Sequence, residues 1–291
     1  MIKKKQTLRP LDTPIYNYWQ ALYRSFYSSR LYIDVIKRWR GFGTLYLLLA
    51  IALASIPLSL RIMVDFDRYF EEKMILPLKS LPTLDVQNGQ VSFDKPMPYL
   101  VKNKKGEVVS IVDTTGVVTG ISAKYPQLTV LITKDKIFFR PPKVELFFHA
   151  STVETGDNVY MHTLNKDDNE VFMGEAWIKS AGLAKLKRVT LFLVYPMITM
   201  FFYALYTVFL FVLGFLGQLF AQILFNVKLK FKESCRLLAV AATPQIIFFF
   251  ITLTADAMFF GLGYFYTAFI AIFYSYGVIS IKRERAQMAR V

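Results

Sequence analysis

Few residues in this chain have the type and spacing to do chemistry, and each has a simpler reading. The run Ile111-Val112-Asp113-Thr114-Thr115-Gly116 places a carboxylate behind an apolar pair, as the active loop of an aspartic protease does, but it holds one residue too many before Gly116. That chemistry needs two carboxylates sharing one proton, and the sequence has no second copy of the run. A strand-ending turn, in which the Asp and Thr side chains bond the backbone, is expected instead. His149 and His162 are the only histidines, and with Glu145, Glu154 and Asp157 nearby they match no metal-site spacing. The lone Cys235 rules out an internal disulfide and a cysteine-cluster metal site. It heads an apolar run and reads as a small buried hydrophobe. The sequence has neither a nucleophile elbow nor a Gly-rich phosphate loop. No catalytic residue, cofactor or metal is therefore expected.

The elements that would position any site are mostly apolar. A helix needs about 20 residues to cross a hydrocarbon core about 30 Å thick. Four charge-free windows meet or approach that length: Gly41–Leu60, Val189–Val227, Leu237–Ala255 and Ala257–Ile281. The second, at 39 residues, is too long for one span and nearly long enough for two. Charge decides between them, because Lys and Arg are retained on the cytoplasmic side. Residues 1–40 hold nine of these cations, 228–236 hold four and 282–291 hold four. A single second span puts all three segments on one side, whereas a hairpin moves two of them out. The expectation is a polytopic α-helical membrane protein with four transmembrane helices and both termini cytoplasmic. The surplus at roughly Phe215–Asn226, with Gln218, Gln222 and Asn226 as polar positions, has two readings. It either bends at Gly214 and Gly217 to follow the cytoplasmic interface, or it extends a long tilted helix. The three cytoplasmic segments carry +13 of the chain's +14. The basicity thus follows from topology, so the lipid bilayer is an expected partner and nucleic acid is not.

Residues 1–40 read as a cytoplasmic arm. Ile15, Trp19, Leu22 and Phe26 recur at helical spacing among tyrosines, as in an amphipathic helix lying on the inner leaflet; a docking face for a partner helix is the alternative. Arg30, Lys37, Arg38 and Arg40 add attraction to anionic lipid, and Trp39 stands where an interfacial anchor belongs. The first transmembrane helix follows over 41–64. Residues 65–188 read as an inserted extracytoplasmic domain, a small antiparallel β-rich (α+β) sheet. Asn88-Gly89 between two alternating runs signals a hairpin. Further strands are expected at Tyr99–Lys102, Val108–Asp113, Leu128–Thr133, Lys136–Arg140 and Lys143–Phe148, with a polar stretch over 150–177 and a loop at 165–169. Residues 189–281 read as a three-helix membrane region with a cytoplasmic loop over 226–236, and 282–291 as a basic tail.

Within the spans, Pro57, Pro196 and Pro244 are expected to kink helices. Thr243 and Gln245 flank Pro244 and suit hydrogen bonding across the bundle. A transport site is the sharper alternative, but an ion path needs a deep ionisable residue. Only Asp256 comes near, at the expected outer end between the third and fourth spans. Tyr264, Tyr266, Tyr274 and Tyr276 fit aromatic belts, with a lipid-binding groove as the alternative.

Two segments carry a family likeness. Ser25-Phe26-Tyr27-Ser28, followed by Lys37-Arg38-Trp39-Arg40-Gly41-Phe42-Gly43, resembles a family of uncharacterised bacterial inner-membrane proteins, some labelled maltodextrin-utilisation-type permease-associated proteins. The Asn88-Gly89 hairpin and the Ile111–Gly116 turn are similar to its extracytoplasmic domain, so the likeness covers nearly the whole chain. Phe231-Lys232-Glu233-Ser234 with Pro244 distantly resembles Yip-type membrane proteins. The resemblance implies a fold and a bacterial inner-membrane location and brings no catalytic residue. The leading functional expectation is a non-enzymatic accessory or scaffold protein presenting its outer domain to an envelope or transporter partner. The second is a lipid- or small-solute-handling protein using a groove among spans two to four. The third is an envelope hydrolase built on His149, His162 and Asp113.

Overall fold

A computed structural model describes residues 13–103, 105–121, 124–140, 159–167 and 169–289. The chain is mostly helical and divides into two compact units, residues 1–62 with 193–291, and residues 63–192. In chain order come α1 (Tyr18–Arg24), α2 (Ser29–Arg38), α3 (Thr44–Ala54) and α4 (Ile56–Phe70), then a π-helical turn (Glu71–Ile75) and α5 (Leu76–Lys79). Eight strands follow among the described residues: β1 (Leu84–Gln87), β2 (Gln90–Ser92), β3 (Tyr99–Lys102), β4 (Val108–Asp113), β5 (Val130–Thr133), β6 (Lys136–Phe139), β7 (Tyr160–Thr163) and β8 (Glu170–Phe172). The chain closes with α6 (Gly174–Ser180), α7 (Leu183–Phe225), α8 (Phe231–Ala241), α9 (Thr243–Thr254) and α10 (Leu262–Met288).

Among the described residues two helices, α7 and α10, are each long and apolar enough to cross a membrane. The number rises to four if each of two bent stretches, α3 through α5 and α8 with α9, is one span. The bends are 44° and 43°, and each follows from a proline. Pro57 and Pro244 lack an N–H, and their rings clash with the carbonyl four residues back. The preceding helix therefore stops, and the proline sits in the first turn of the next, where it is tolerated. Pro196 is different: it lies inside α7, which runs on without a break.

The long apolar window is one helix of 43 residues. The interfacial continuation bent at Gly214 and Gly217 is thereby corrected. These glycines are points of close approach: a Cβ on Gly214 would lie 2.6 Å from Cys235 Sγ, and one on Gly217 would lie 2.7 Å from Tyr274 Oη. The helix ends at Asn226, whose φ of 54° is left-handed.

The N-terminal arm also differs from expectation. It contains two helices, and α2 is a core element. Leu31, Tyr32, Val35, Ile36 and Trp39 repeat at helical spacing on one buried face. Trp39 is 3% exposed, its ring 4.8 Å from that of Tyr18 and 5.4 Å from that of Tyr46, so it is a core residue and not an interfacial anchor. Asp34, also buried, fixes the segment before α1. Its oxygens accept the Ile15 N–H at 3.0 and 3.1 Å, the Tyr16 N–H at 3.1 Å and Arg38 Nη1 at 3.1 Å. A capping box between Asn17 and Gln20 then starts α1.

In the second unit, β1 and β2 form the expected hairpin, with Asn88 (φ 51°) and Gly89 (φ 73°) both left-handed, as a type I′ turn requires. The single antiparallel sheet is replaced by two sheets. One is ordered β2-β1-β8, the other β3-β4-β5-β6-β7. The second is mixed because β4 and β5 pair in parallel, with Ile111 opposite Leu131. Parallel neighbours need a crossover of about a dozen residues or more, and Thr114–Thr129 supplies it. β7 and β8 lie in the stretch expected to be polar connection. The strand expected at Lys143–Phe148 lies outside the described residues.

Candidate functional site

The first unit contains a groove of about 550 Å³ walled by α7, α9 and α10, with Leu47 of α3 and Leu238 of α8 also on its lining. On α7, Tyr206, Phe209, Leu213, Leu216 and Phe220 recur every three or four residues and so share one face. Phe249 of α9 and Ile270, Ala271 and Tyr274 of α10 face them.

The polar groups in this wall are already partnered. Gln245 is 5% exposed; its Nε2 donates to Tyr206 Oη at 3.0 Å, and Tyr206 Oη lies 3.2 Å from Gln245 Oε1. Tyr274 Oη pairs with Ser234 Oγ at 2.8 Å, and Ser234 Oγ donates to Gly214 O at 2.7 Å. Tyr266 Oη pairs with Thr252 Oγ1 at 2.5 Å, and Thr267 Oγ1 donates to Gly263 O at 2.9 Å. The Thr267 bond stays within α10, whereas the others cross between helices and hold them together in apolar surroundings. The groove therefore presents hydrocarbon, with hydroxyl and amide dipoles directed at one another.

The residues singled out from sequence do not converge. Gln245 lines the groove, and Pro244 sets the bend beside it. Gln218 donates from Nε2 to Leu229 O at 2.8 Å, and Gln222 is exposed. Asp256 (φ 53°) lies 3.8 Å from Arg61 Nη2, and Arg61 also donates to Thr254 O, so the pair ties α4 to the loop after α9. Trp19 is 60% exposed, and Arg40 is exposed.

In the second unit, Asp113 is fully buried at the end of β4. It accepts the Thr115 N–H at 2.9 Å, Thr115 Oγ1 at 2.6 Å and the Val118 N–H at 2.5 Å. Burial alone would raise its pKa, but bonds from the Thr115 hydroxyl and the Val118, Thr115 and Gly116 N–H groups outweigh it and hold the carboxyl below its ordinary value. His162 is exposed on β7, and His149 lies outside the described residues. Among the described residues, no three His, Cys, Asp or Glu side chains come together as metal ligands.

Sequence reasoning missed most of the groove's wall, notably Tyr206, Phe249 and Ala271. The available signal was the three-to-four-residue recurrence along α7, which stays hidden in a segment that is apolar on every side.

No curated protein and no solved structure matches the chain, so the Yip-type likeness rests only on the residues that suggested it. The family described as "Protein of unknown function (DUF1189)" matches residues 19–279, taking in the groove, both bent helix pairs and the two sheets; the chain belongs to that family.

Proposed function

We propose that this is a four-span protein of the bacterial inner membrane that holds the hydrocarbon part of a lipid or of a small amphiphilic solute in the groove between α7, α9 and α10. Both termini are cytoplasmic on this reading, and the 63–192 unit lies on the opposite side. The groove carries the proposal. It is sizeable, it is walled by helices apolar enough to sit in a bilayer, and its polar side chains are internally paired. An acyl chain loses nothing on entering such a site, whereas a polar solute would leave its own groups unpaired. The cation distribution supports the orientation. The protein acts here as a binder and not as an enzyme.

Purification in several mild detergents followed by mass spectrometry of extracted lipids tests this. The wild type should retain lipid in near-stoichiometric amount, and Ala271→Phe, which puts a ring into the groove, should lose it. Wild-type protein free of lipid in every detergent would refute the reading.

A second reading, an accessory protein presenting the 63–192 unit to an envelope partner, is favoured by that unit's independent core. A photo-crosslinker at Val117, which is 75% exposed, should yield one discrete adduct in intact cells. Absence of any adduct from several exposed positions of the unit would count against it.

A further inference from the structure

No charged residue lines the groove, but the segments next to its two ends differ in charge. Gly217 and Tyr274 line it where α7 meets α8. Gln218, beside Gly217, is bonded to Leu229, which is flanked by Lys228 and Lys230. Ser234, which holds Tyr274, lies two residues after Lys232 in the first turn of α8. Lys228, Lys230 and Lys232 are exposed, and Arg285 Nη1 donates to Lys228 O at 3.3 Å, adding a fourth cation. The acids nearby are engaged: Glu233 accepts the Lys230 N–H at 2.8 Å, and Glu284 pairs with Lys37 at 2.8 Å. Beyond Phe249 and Tyr266 the nearby cation is Arg61, which donates to Thr254 O and lies 3.8 Å from Asp256, so that end carries no comparable excess of positive charge. The groove's wall on α7 runs from Leu205 to Phe220, about 22 Å at 1.5 Å per residue.

From this polarity we infer that the occupant is one anionic lipid, with an acyl chain along the apolar wall and its phosphate headgroup at Lys228, Lys230 and Lys232. The inference rests on the groove reading and adds the headgroup charge and its place. Hydrocarbon walls fix the tail without discriminating among lipids, so the lysines supply the selection.

The test uses full-length protein in nanodiscs doped with diazirine-acyl phosphatidylglycerol or diazirine-acyl phosphatidylcholine. Photolysis is followed by peptide mapping of the cross-linked chain. In the wild type, adducts should fall on the groove faces of α7 and α10 and favour phosphatidylglycerol. The triple variant K228Q/K230Q/K232Q should cut that preference by roughly tenfold or more while phosphatidylcholine adducts persist at the same peptides. R30Q/R40Q/K282Q, equal in net charge and away from the groove lining, should keep the preference. An unchanged preference in the first variant, or an equal loss in the second, would overturn the headgroup assignment. No adduct on the groove peptides with either lipid would instead sink the groove reading itself.

Discussion

Replacing Asp113 should loosen the second unit from the end of β4, an interior strand of its five-stranded sheet. The carboxylate has no exposure and takes the Thr115 hydroxyl and the Thr115 and Val118 N–H groups, with the Gly116 N–H also favouring its charge. Hydrogen bonds to a charged acceptor contribute about 1.5–3 kcal/mol each, and an orphaned buried donor costs about 1–3 kcal/mol. Thr115 and Gly116 border solvent, so their donors partly rehydrate in Asp113→Ala, and the sum falls to about 2–4 kcal/mol. Asp113→Asn keeps the shape and one acceptor oxygen, and should cost about half of that. The pH dependence has a definite sign. The native pKa lies below the ordinary 3.8, so the carboxylate's contribution is complete above the unfolded value and is lost as pH falls through the native one. Hydrogen exchange of the intact protein in mild detergent reads this locally. Amides of β4 and β5 should exchange about 30-fold faster in Asp113→Ala for each 2 kcal/mol lost. Acidification below 3.8 should speed exchange in the wild type more than in Asp113→Asn. Unchanged protection in the alanine variant, or identical acid limbs in wild type and Asp113→Asn, would refute the account.

Other consequences can be checked separately. Gly217→Ala sets a methyl against Tyr274 Oη and Ser234 Oγ, 2.9 Å away in the latter case, and should cost about 1–3 kcal/mol, seen as a lower melting temperature that Tyr274→Phe partly restores. Trp39→Ala should destabilise the first unit by about 3–5 kcal/mol, whereas Trp19→Ala, at an exposed site, should change melting by little. Cys235 is buried, so single added cysteines report topology without replacing it. A cysteine at Val117 should react with an impermeant maleimide in cells whose outer membrane has been permeabilised, and one at Ala289 only after the inner membrane is lysed. The reverse pattern would invert the proposed orientation.

What the sequence made legible follows from how local each signal is. The hairpin at Asn88-Gly89 is set by two adjacent residues that tolerate left-handed backbone, and it was readable from those two alone. The bends at Pro57 and Pro244 are equally local. The parallel pairing of β4 with β5 depends on where a long crossover returns, which no short window contains. α2 was missed for another reason. Its buried stripe, Leu31 through Trp39, lies among Arg30, Lys37, Arg38 and Arg40, and the cations drew attention to lipid when the apolar face was already satisfied by protein. The groove was the least legible feature, because in a segment apolar all round, hydrophobicity does not distinguish the face toward lipid from the face toward a neighbouring helix.

The length of α7 connects its packing to the groove. From Val189 to Phe225 the helix carries no charge and rises about 55 Å. A helix tilted by about 40°, near the upper limit seen, uses about 39 Å to cross a 30 Å core. On the four-span reading, at least about ten residues of apolar helix remain outside hydrocarbon at any ordinary tilt and require another apolar surface. In the C-terminal third one face packs on protein, while Phe215, Leu219, Ile223 and Leu224 stay exposed. Gly214 and Gly217 admit Cys235, Ser234 and Tyr274 to close range, Ala221 is fully buried, and Val227 and Leu229 fold back into the same core. Close approach there depends on the missing side chains. The groove follows the same helix from Leu205 to Phe220, so its wall holds Gly217 together with the larger Leu205, Phe209 and Leu213. On the four-span reading, the two features share one helix: Gly214 and Gly217 bring Cys235 and Tyr274 close, and the larger residues of the groove wall leave the space that a hydrocarbon chain can fill.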